Sequence, residues 1–375
     1  MKKYFIAFVL LSLLIESNAQ LNNSAFEQQL IIDSTREKEL YFGFYSLGFF
    51  KNNEYTNNIA DGFTLFGYQF NPYFSYYPTG NIRIDGGIYL QKDFGIADFT
   101  EIAPTFSVIM DFGNFDLIFG NLQGSYDHRL IEPLYDFENG LNHRLENGIQ
   151  VLWQTKNIFL DFWINWERMI FKGDPFQEEI SGGTSINYTL LERDKFKLEV
   201  PLQMVIYHKG GQIDNSPNPL LSLINTAYGV SFTFKFNDGG MIRSLRSDNY
   251  YAYYYDFSNQ KQQVFEDGDG IYLNLTAKTR FNLEVMASYW RGDEFITIQG
   301  GQLYPSISSS FKNAGSFENN RELFFLRFLY DVKLSEDFYL SARFEPYFDI
   351  RNSNLEFSHG LYINYRPDFF LWKNK

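Results

Sequence analysis

One segment of the chain, residues 124–144, gathers side chains that could bind a metal or transfer a proton. Two of the four histidines lie in it, each followed by an arginine, and acidic residues separate them. The candidate side chains are His128, Arg129, Glu132, Asp136, Glu138, His143 and Arg144. Histidines and carboxylates bind zinc and act as general acids and bases. The segment could therefore be a metal site, an active-site loop or a loop that packs against another part of the protein.

The spacing of these residues gives little support to a metal site. The chain has no cysteine, and its histidines show no tight H-x₃-H spacing, so the zinc signal is weak. The acidic stretch 266–270 lacks the twelve-residue pattern of a calcium loop and favours a solvated acidic turn. We therefore predict neither a metal nor any other cofactor.

The beginning of the chain predicts export. Residues 1–19 have a signal-peptide pattern, with two lysines before an apolar run over 4–15 and small residues before a cleavage point after Ala19. The apolar run is shorter than the roughly 20 residues that a membrane-spanning helix needs. Residues 20–38 are predicted to form a periplasmic N-terminal segment.

The composition favours a membrane barrel. The net charge is -13, which argues against nucleic acid as a partner. Aromatic residues make up 19% of the chain, yet the mean hydropathy is only -0.29. A transmembrane β-barrel has both properties. Its strands alternate apolar and polar residues, which keeps the mean hydropathy low, and its aromatic girdles at both membrane interfaces raise the aromatic content. A secreted β-sandwich or solenoid would also alternate and is the alternative.

The strands and their connections favour the barrel over that alternative. The stretches 158–167 and 196–206 alternate strictly, and they are about as long as a tilted membrane-spanning strand. Soluble strands average 5–6 residues. Seven short turns alternate with eight longer polar connections, which is the pattern of short periplasmic turns and longer outside loops. We predict an all-β, antiparallel up-and-down transmembrane barrel over residues 39–375, with about 16 strands and a range of 14–18.

This architecture resembles the Gram-negative outer-membrane β-barrels of the porin type. The resemblance covers Leu40 to the C-terminus and rests on architecture rather than on a motif; the chain departs from it by ending in Lys373-Asn374-Lys375 after its last aromatic residues. In sixteen-stranded porins the third outside loop folds inward and narrows the pore. Residues 124–144 are the third outside loop here, so the resemblance implies an inward-folded constriction.

The polar face of the strands is predicted to line the lumen, because lysine or arginine in the middle of the lipid face costs roughly 2–4 kcal/mol. These charges either neutralise one another along the wall or create a field across a water-filled pore. The predicted lumen-lining residues are Arg83, Asp85, Asp161, Trp163, Glu167, Lys197, Glu199, Lys278, Glu284, Arg327, Asp331, Arg343, Glu345 and Asp349.

The sequence thus predicts a porin-like channel in the cell outer membrane for the passive passage of small polar solutes, with saccharides as one candidate class. A plugged barrel that docks in an envelope assembly and a barrel that exports surface polysaccharide are the alternatives. The predicted partners are outer-membrane lipid, small polar solutes, and a second copy of the chain or an envelope protein. No G-x-S-x-G motif occurs, and the scattered histidines single out no Ser-His pair, so no enzymatic function is predicted.

Overall fold

The computed structural model describes residues 21–28, 30–237 and 239–374 of the chain. The predicted signal peptide, residues 1–19, lies outside the described residues. Within the part described, the strands are β1 (Glu39–Glu54), β2 (Thr64–Thr79), β3 (Ile82–Asp93), β4 (Glu101–Asp111), β5 (Phe115–Asn121), β6 (Asn147–Gln154), β7 (Ile158–Arg168), β8 (Glu179–Arg193), β9 (Phe196–Lys209), β10 (Leu221–Lys235), β11 (Ile242–Asp256), β12 (Asp267–Thr279), β13 (Leu283–Asp293), β14 (Asn320–Ser335), β15 (Phe338–Asp349), β16 (Asn354–Tyr365) and β17 (Asp368–Lys373).

Each strand from β1 to β16 pairs antiparallel with the next, and β16 pairs with β1 to close the barrel. The short β17 follows Pro367 and continues the edge of β16, where it pairs with residues 39–43 of β1. Proline has no N–H to donate, which explains the break between the two segments. The prediction of an all-β, closed antiparallel barrel of 16 strands is confirmed.

Alternation along each strand separates an outward apolar face from an inward polar face. On β7, Phe162 and Trp166 are each 43% exposed, whereas Asp161 and Trp163, which have the opposite parity, are 0% and 2% exposed. Successive side chains of a strand point to opposite sides of the sheet, so one face meets lipid and the other meets the lumen. Connections of seven or more residues follow the odd-numbered strands from β1 to β13, and turns of six or fewer follow the even-numbered strands from β2 to β14, which gives the outside and periplasmic ends. The outside connection after β15 is short, with only residues 350–353.

Helical structure is minor in the described residues. Two short 3₁₀ helices, Ser34–Arg36 and Ser125–His128, and one α-helical turn, α1 (Asn139–Asn142), lie in the segments outside the strands. Nowhere in the described part of the chain is a helix long and apolar enough to span a membrane.

Candidate functional site

The connection between β5 and β6 contacts inward-facing side chains on several walls of the barrel. His128, at the end of the 3₁₀ helix, is 0% exposed. Its Nδ1 lies 2.8 Å from a carboxylate oxygen of Asp161 on β7, and its Nε2 lies 2.7 Å from Glu146. The ring also stacks on Trp163. Two carboxylates and one aromatic face therefore hold this imidazole on the inner wall.

His128 lies outside the membrane-spanning strands, and its surroundings favour the charged form. Burial by itself lowers the pKa of this imidazole. The negative charges of Glu146 and Asp161, together with the hydrogen bonds to them, outweigh burial and raise the pKa of His128 to about 10. An imidazolium with both nitrogens engaged has no free site for a proton, so His128 is poorly suited to act as a general base.

Glu132 connects the same segment to the opposite wall. Its carboxylate forms an ion pair with Arg327 of β14 and accepts a hydrogen bond of 2.6 Å from the hydroxyl of Tyr304. Arg327 also donates to Glu345 of β15 at 3.0 Å. Arg327 is 2% exposed, so these bonds form away from bulk water, where charge-assisted hydrogen bonds are strong.

A second acidic residue of the segment contacts β1. Glu138 lies 3.4 Å from the ammonium of Lys51 and accepts a 2.6 Å hydrogen bond from Asn53. Asp136, two residues earlier, accepts from the backbone N–H of Glu138 at 3.0 Å. Burial and the charge of Glu138 raise the pKa of Asp136 to about 7. Glu132, Asp136 and Glu138 thus bond to the wall or to the segment itself.

The basic residues at the two ends of the segment differ in their surroundings. The guanidinium of Arg129 lies 4.2 Å above the ring of Phe159, and that of Arg144 lies 3.8 Å above the ring of Tyr45. His143, next to Arg144, is exposed. Cation–π contacts of this kind fix a long side chain against the wall.

Most of the predicted lumen residues pair with one another. Arg83 lies 2.8 Å from Asp85, and Lys197 lies 2.7 Å from Glu199. The other contacts of the predicted lumen residues are Lys278–Glu284 at 2.8 Å, Arg321–Asp349 at 2.9 Å, Arg343–Asn23 at 2.8 Å and Gln299–Glu167 at 2.9 Å, and Asp331 is paired in register with Ser341. Opposite charges that lie next to each other on the inner wall offset the cost of burying each of them.

Two further segments, which were not predicted to enter the lumen, also reach inward-facing residues. Phe26, in the segment 21–31, is 0% exposed and packs edge-on against Phe137 and Tyr362 at 5.3 and 5.1 Å between centroids. In the connection 294–319, the carbonyl of Gln299 accepts from the N–H of Asp136 at 2.7 Å. The sequence signal for packing inside the barrel is the apolar pair in each segment, at 25–26 and at 303–304, within an otherwise polar stretch.

The spaces left between these segments are small. One cavity of about 60 Å³ lies beside Gln123, and another of about 50 Å³ lies beside Glu132. Ligand pockets usually measure roughly 300–1,000 Å³. A larger cavity of about 800 Å³ opens next to the periplasmic ends of the strands and is lined by Arg36, Arg83 and Arg366 among others.

One polar pair on the outward face was missed. His208 on β9 and Ser222 on β10 are directly opposed in the sheet, and Nδ1 of the histidine lies 2.7 Å from the serine Oγ. The two residues are fourteen positions apart. The sequence does contain a signal for this pair. Side chains alternate between the two faces of a strand, so aligning the β9–β10 hairpin places both residues on the same face.

The closed barrel with an apolar outer face and a polar interior defines the class of protein as a porin-type outer-membrane β-barrel. Solved structures of this class are similar to it. OprD of Pseudomonas aeruginosa matches with a TM-score of 0.52 and 11% identity, over 91% of this chain and 100% of that chain. A loop-deletion mutant of OmpT, an outer membrane protein of Vibrio cholerae, matches with a TM-score of 0.52 and 10% identity, over 88% of this chain and 100% of that one.

The family is given by the sequence itself. The family model described as Lipid A 3'-O-deacylase-type matches residues 32–374, and the chain belongs to that family. A comparison with curated proteins found no match.

The prediction that the chain is not an enzyme is therefore wrong, because its family is one of deacylases. That prediction relied on motifs within short stretches of sequence. A barrel can instead assemble reactive groups from residues on neighbouring strands, which are distant in the sequence and opposed only through the register.

Proposed function

We propose that the protein removes an ester-linked acyl chain from a lipid A-type glycolipid of the outer leaflet. The family name supplies the reaction class. The observation that carries the proposal is the small space left inside the outer half of the barrel, around the segment 124–144. Cavities of about 60 and 50 Å³ beside the segment 124–144 are too small for a lipid substrate, which leaves the outward wall and its rim as the surfaces that such a lipid can reach.

The test is a direct assay of the protein folded in mixed micelles of detergent and lipid A. We expect mass spectrometry to show glycolipid that has lost a single acyl chain, together with one equivalent of free fatty acid. Heat-unfolded protein at the same concentration is the control. Intact lipid A after prolonged incubation with protein that still shows the β-sheet circular dichroism of the folded state would overturn the proposal.

A second candidate is the passage of small polar solutes, including saccharides, along the lumen, with residues 124–144 as the constriction. It is supported by the charged inner wall and by the cavity of about 800 Å³ at the periplasmic end. In this function the solute passes only when the constriction is displaced, and the wall charges select among solutes. The contacts of Glu132 and Glu138 with opposite walls are the bonds that would hold the constriction in position.

Single-channel recording in planar bilayers tests this second candidate. We expect deletion of residues 130–138 to raise the conductance, because it removes the contacts to β1 and β14. The matched control deletes 212–217 from the connection between β9 and β10, which hydrogen-bonds to the neighbouring outside connection at Gly173 and Asp174. If both deletions leave the bilayer silent, passage is excluded, and a plugged barrel that docks with a second copy or an envelope protein becomes the better description.

We also infer that residues 1–19 are removed on export and that the segment 20–38 begins the mature chain. Contacts of residues 22–28 with the inner wall support this arrangement, since Arg343 donates to the carbonyl of Asn22 at 3.1 Å. N-terminal sequencing of protein extracted from outer membranes should begin at Gln20. A sequence that begins at Met1 would show that the signal is retained.

A further inference from the structure

His208 and Ser222 form a hydrogen-bonded pair in the wall of the barrel. The two residues are direct partners in the antiparallel register of β9 and β10. The distance of 2.7 Å between Nδ1 and Oγ falls within the range of about 2.6–3.2 Å that joins a nucleophile to its base.

Both side chains lie on the outward face. On β9, Leu202 is 44% exposed and shares the parity of His208, whereas Gln203 has the opposite parity and is 1% exposed. On β10, Tyr228 is 54% exposed and shares the parity of Ser222. The pair therefore lies on the side of the wall that faces lipid.

The pair lies at the outside end of the wall, because β9 ends at Lys209 and the outside connection 210–220 follows. Two exposed aromatic side chains lie near Ser222, Tyr255 at the end of β11 and Phe257 just beyond it, and they continue the aromatic belt expected at the membrane interface. The ammonium of Lys261 lies 5.1 Å from the centroid of the Tyr255 ring. A cation at this level suits a lipid with an anionic headgroup.

The backbone around Ser222 is fixed by hydrogen bonds. Its N–H donates to the hydroxyl of Ser258 at 2.8 Å, and its carbonyl accepts from the N–H of Phe257 at 3.0 Å. The N–H of Ser258 in turn donates to Asp256 at 2.8 Å. Ser222 itself is only 8% exposed, so its hydroxyl is held against the histidine with little freedom to reorient.

We propose that Ser222 is the nucleophile and His208 the general base of an ester-cleaving site on the lipid-facing wall, which takes an acyl ester of an outer-leaflet glycolipid. This inference rests on the proposed deacylase function. In the first step the Oγ of Ser222 attacks the ester carbonyl, and its proton passes to Nδ1 of His208. The tetrahedral intermediate then expels the sugar oxygen, which takes that proton and leaves as the alcohol.

The second step restores the protein. Water attacks the acyl-serine while His208 accepts a proton from it, and the acyl bond to Ser222 breaks. The serine oxygen regains the proton, and the fatty acid leaves. The sum is hydrolysis of one ester by one water, with no oxidant, reductant or metal required. In the neutral tautomer with the proton on Nε2, Nδ1 is free to accept, as this scheme needs.

The test compares three variants in the lipid A assay. Ser222→Ala and His208→Asn should each lower the rate of acyl release by about 100-fold or more, the range of nucleophile and general-base contributions. His359→Asn is the matched control and should keep the full rate. His359 also faces outward, but it packs between the rings of Phe50 and Phe357, with centroids 5.6 and 6.0 Å away.

A serine-reactive fluorophosphonate supplies an independent readout, and it should label the peptide that contains Ser222 in the unaltered protein and not in His208→Asn. If the unaltered protein releases acyl chains and Ser222→Ala does so equally fast, the assignment of this site is wrong while the proposed function stands. If lipid A stays intact but Ser222 is labelled, the assignment of Ser222 and His208 as a reactive pair is supported and the proposed lipid substrate is wrong. With neither release nor labelling, both are overturned.

Discussion

The imidazole of His128 lies flat against the indole of Trp163, with ring centroids 3.7 Å apart and ring planes 16° apart. Trp163 belongs to β7, whereas His128 belongs to the connection between β5 and β6. The stacked pair is completed by Asp161, which faces the same way as Trp163 and accepts from the histidine. A rigid strand thus fixes the beginning of a segment whose later residues reach the far wall.

Replacement of this histidine should destabilise the barrel. His128→Gln leaves Asp161 and Glu146 as buried carboxylates without a compensating charge, and breaking a buried ion pair in this way costs about 3–5 kcal/mol. We expect a loss of that order in the free energy of unfolding, measured by urea titration of the intrinsic tryptophan fluorescence. His143→Gln, at the exposed end of the same segment, should change it by less than about 0.5 kcal/mol. Equal losses in both variants would contradict the role of the buried cluster.

The stability should also depend on pH through His128. Its pKa is raised to about 10 in the folded protein, above the ordinary value of 6.5. The folded state therefore binds this proton more tightly than the unfolded state, and the stabilisation is complete below pH 6.5 and is lost as the pH rises to about 10. Melting temperatures in detergent should fall over that interval. In His128→Gln the fall should be smaller, and parallel curves for the two proteins would show that another group is responsible.

The segment after the predicted cleavage point should depend on Phe26 for its position. Phe26→Ala removes a fully buried ring that packs against both the wall and the segment 124–144, a change that usually costs about 3–5 kcal/mol. We expect limited proteolysis from the periplasmic side to cut within residues 21–31 at least ten times faster in this variant. The control is Ile31→Ala, whose side chain is 64% exposed. Unchanged cleavage rates would mean that the ring does not hold the segment.

A charged substitution on the outward face should destabilise the barrel by an amount that depends on its depth in the membrane. Leu202→Arg puts a charge on the lipid face in the middle of β9 and should lower the unfolding free energy in phospholipid bilayers by about 2–4 kcal/mol. Phe236→Arg, just beyond β10 and next to a periplasmic turn, should cost about 0–1 kcal/mol. Equal effects at the two positions would contradict the orientation of these strands in the membrane.

The fold was predictable because its signals are local. Alternation along 158–167 requires only the period of a strand, and turn residues such as those at 78–81 mark each reversal. The stretch 222–235, where the alternation of apolar and polar residues is broken, also lies in a strand, since its neighbours on both sides supply backbone partners. The barrel closes because the hairpins repeat until the last strand reaches the first.

The candidate sites were less predictable, because they depend on which residues meet across space. The apolar residues within 130–135 favour packing of this segment against a wall, but nothing in the sequence indicates that Glu132 meets Arg327, 195 positions later. Such pairs are set by the stagger of the strands around the barrel, which single-strand patterns do not contain. The pair His208 and Ser222 required the exact alignment of one hairpin, and a shift by one residue would separate them.

The junction of β1 with β16 and β17 has a consequence for biogenesis. Lys373 bonds to Glu39 across a separation of 334 residues, whereas every other pair of neighbouring strands is joined by a single connection. Hairpins can form as soon as their two strands exist, but this junction cannot form until the C-terminal residues are present. Synthesis that stops before Asp368 would leave residues 39–43 of β1 as an open edge, exposed to pairing with other chains. Synthesis of β16 is thus the event that converts a curved sheet into a closed cylinder, and β17 extends the seal along the start of β1.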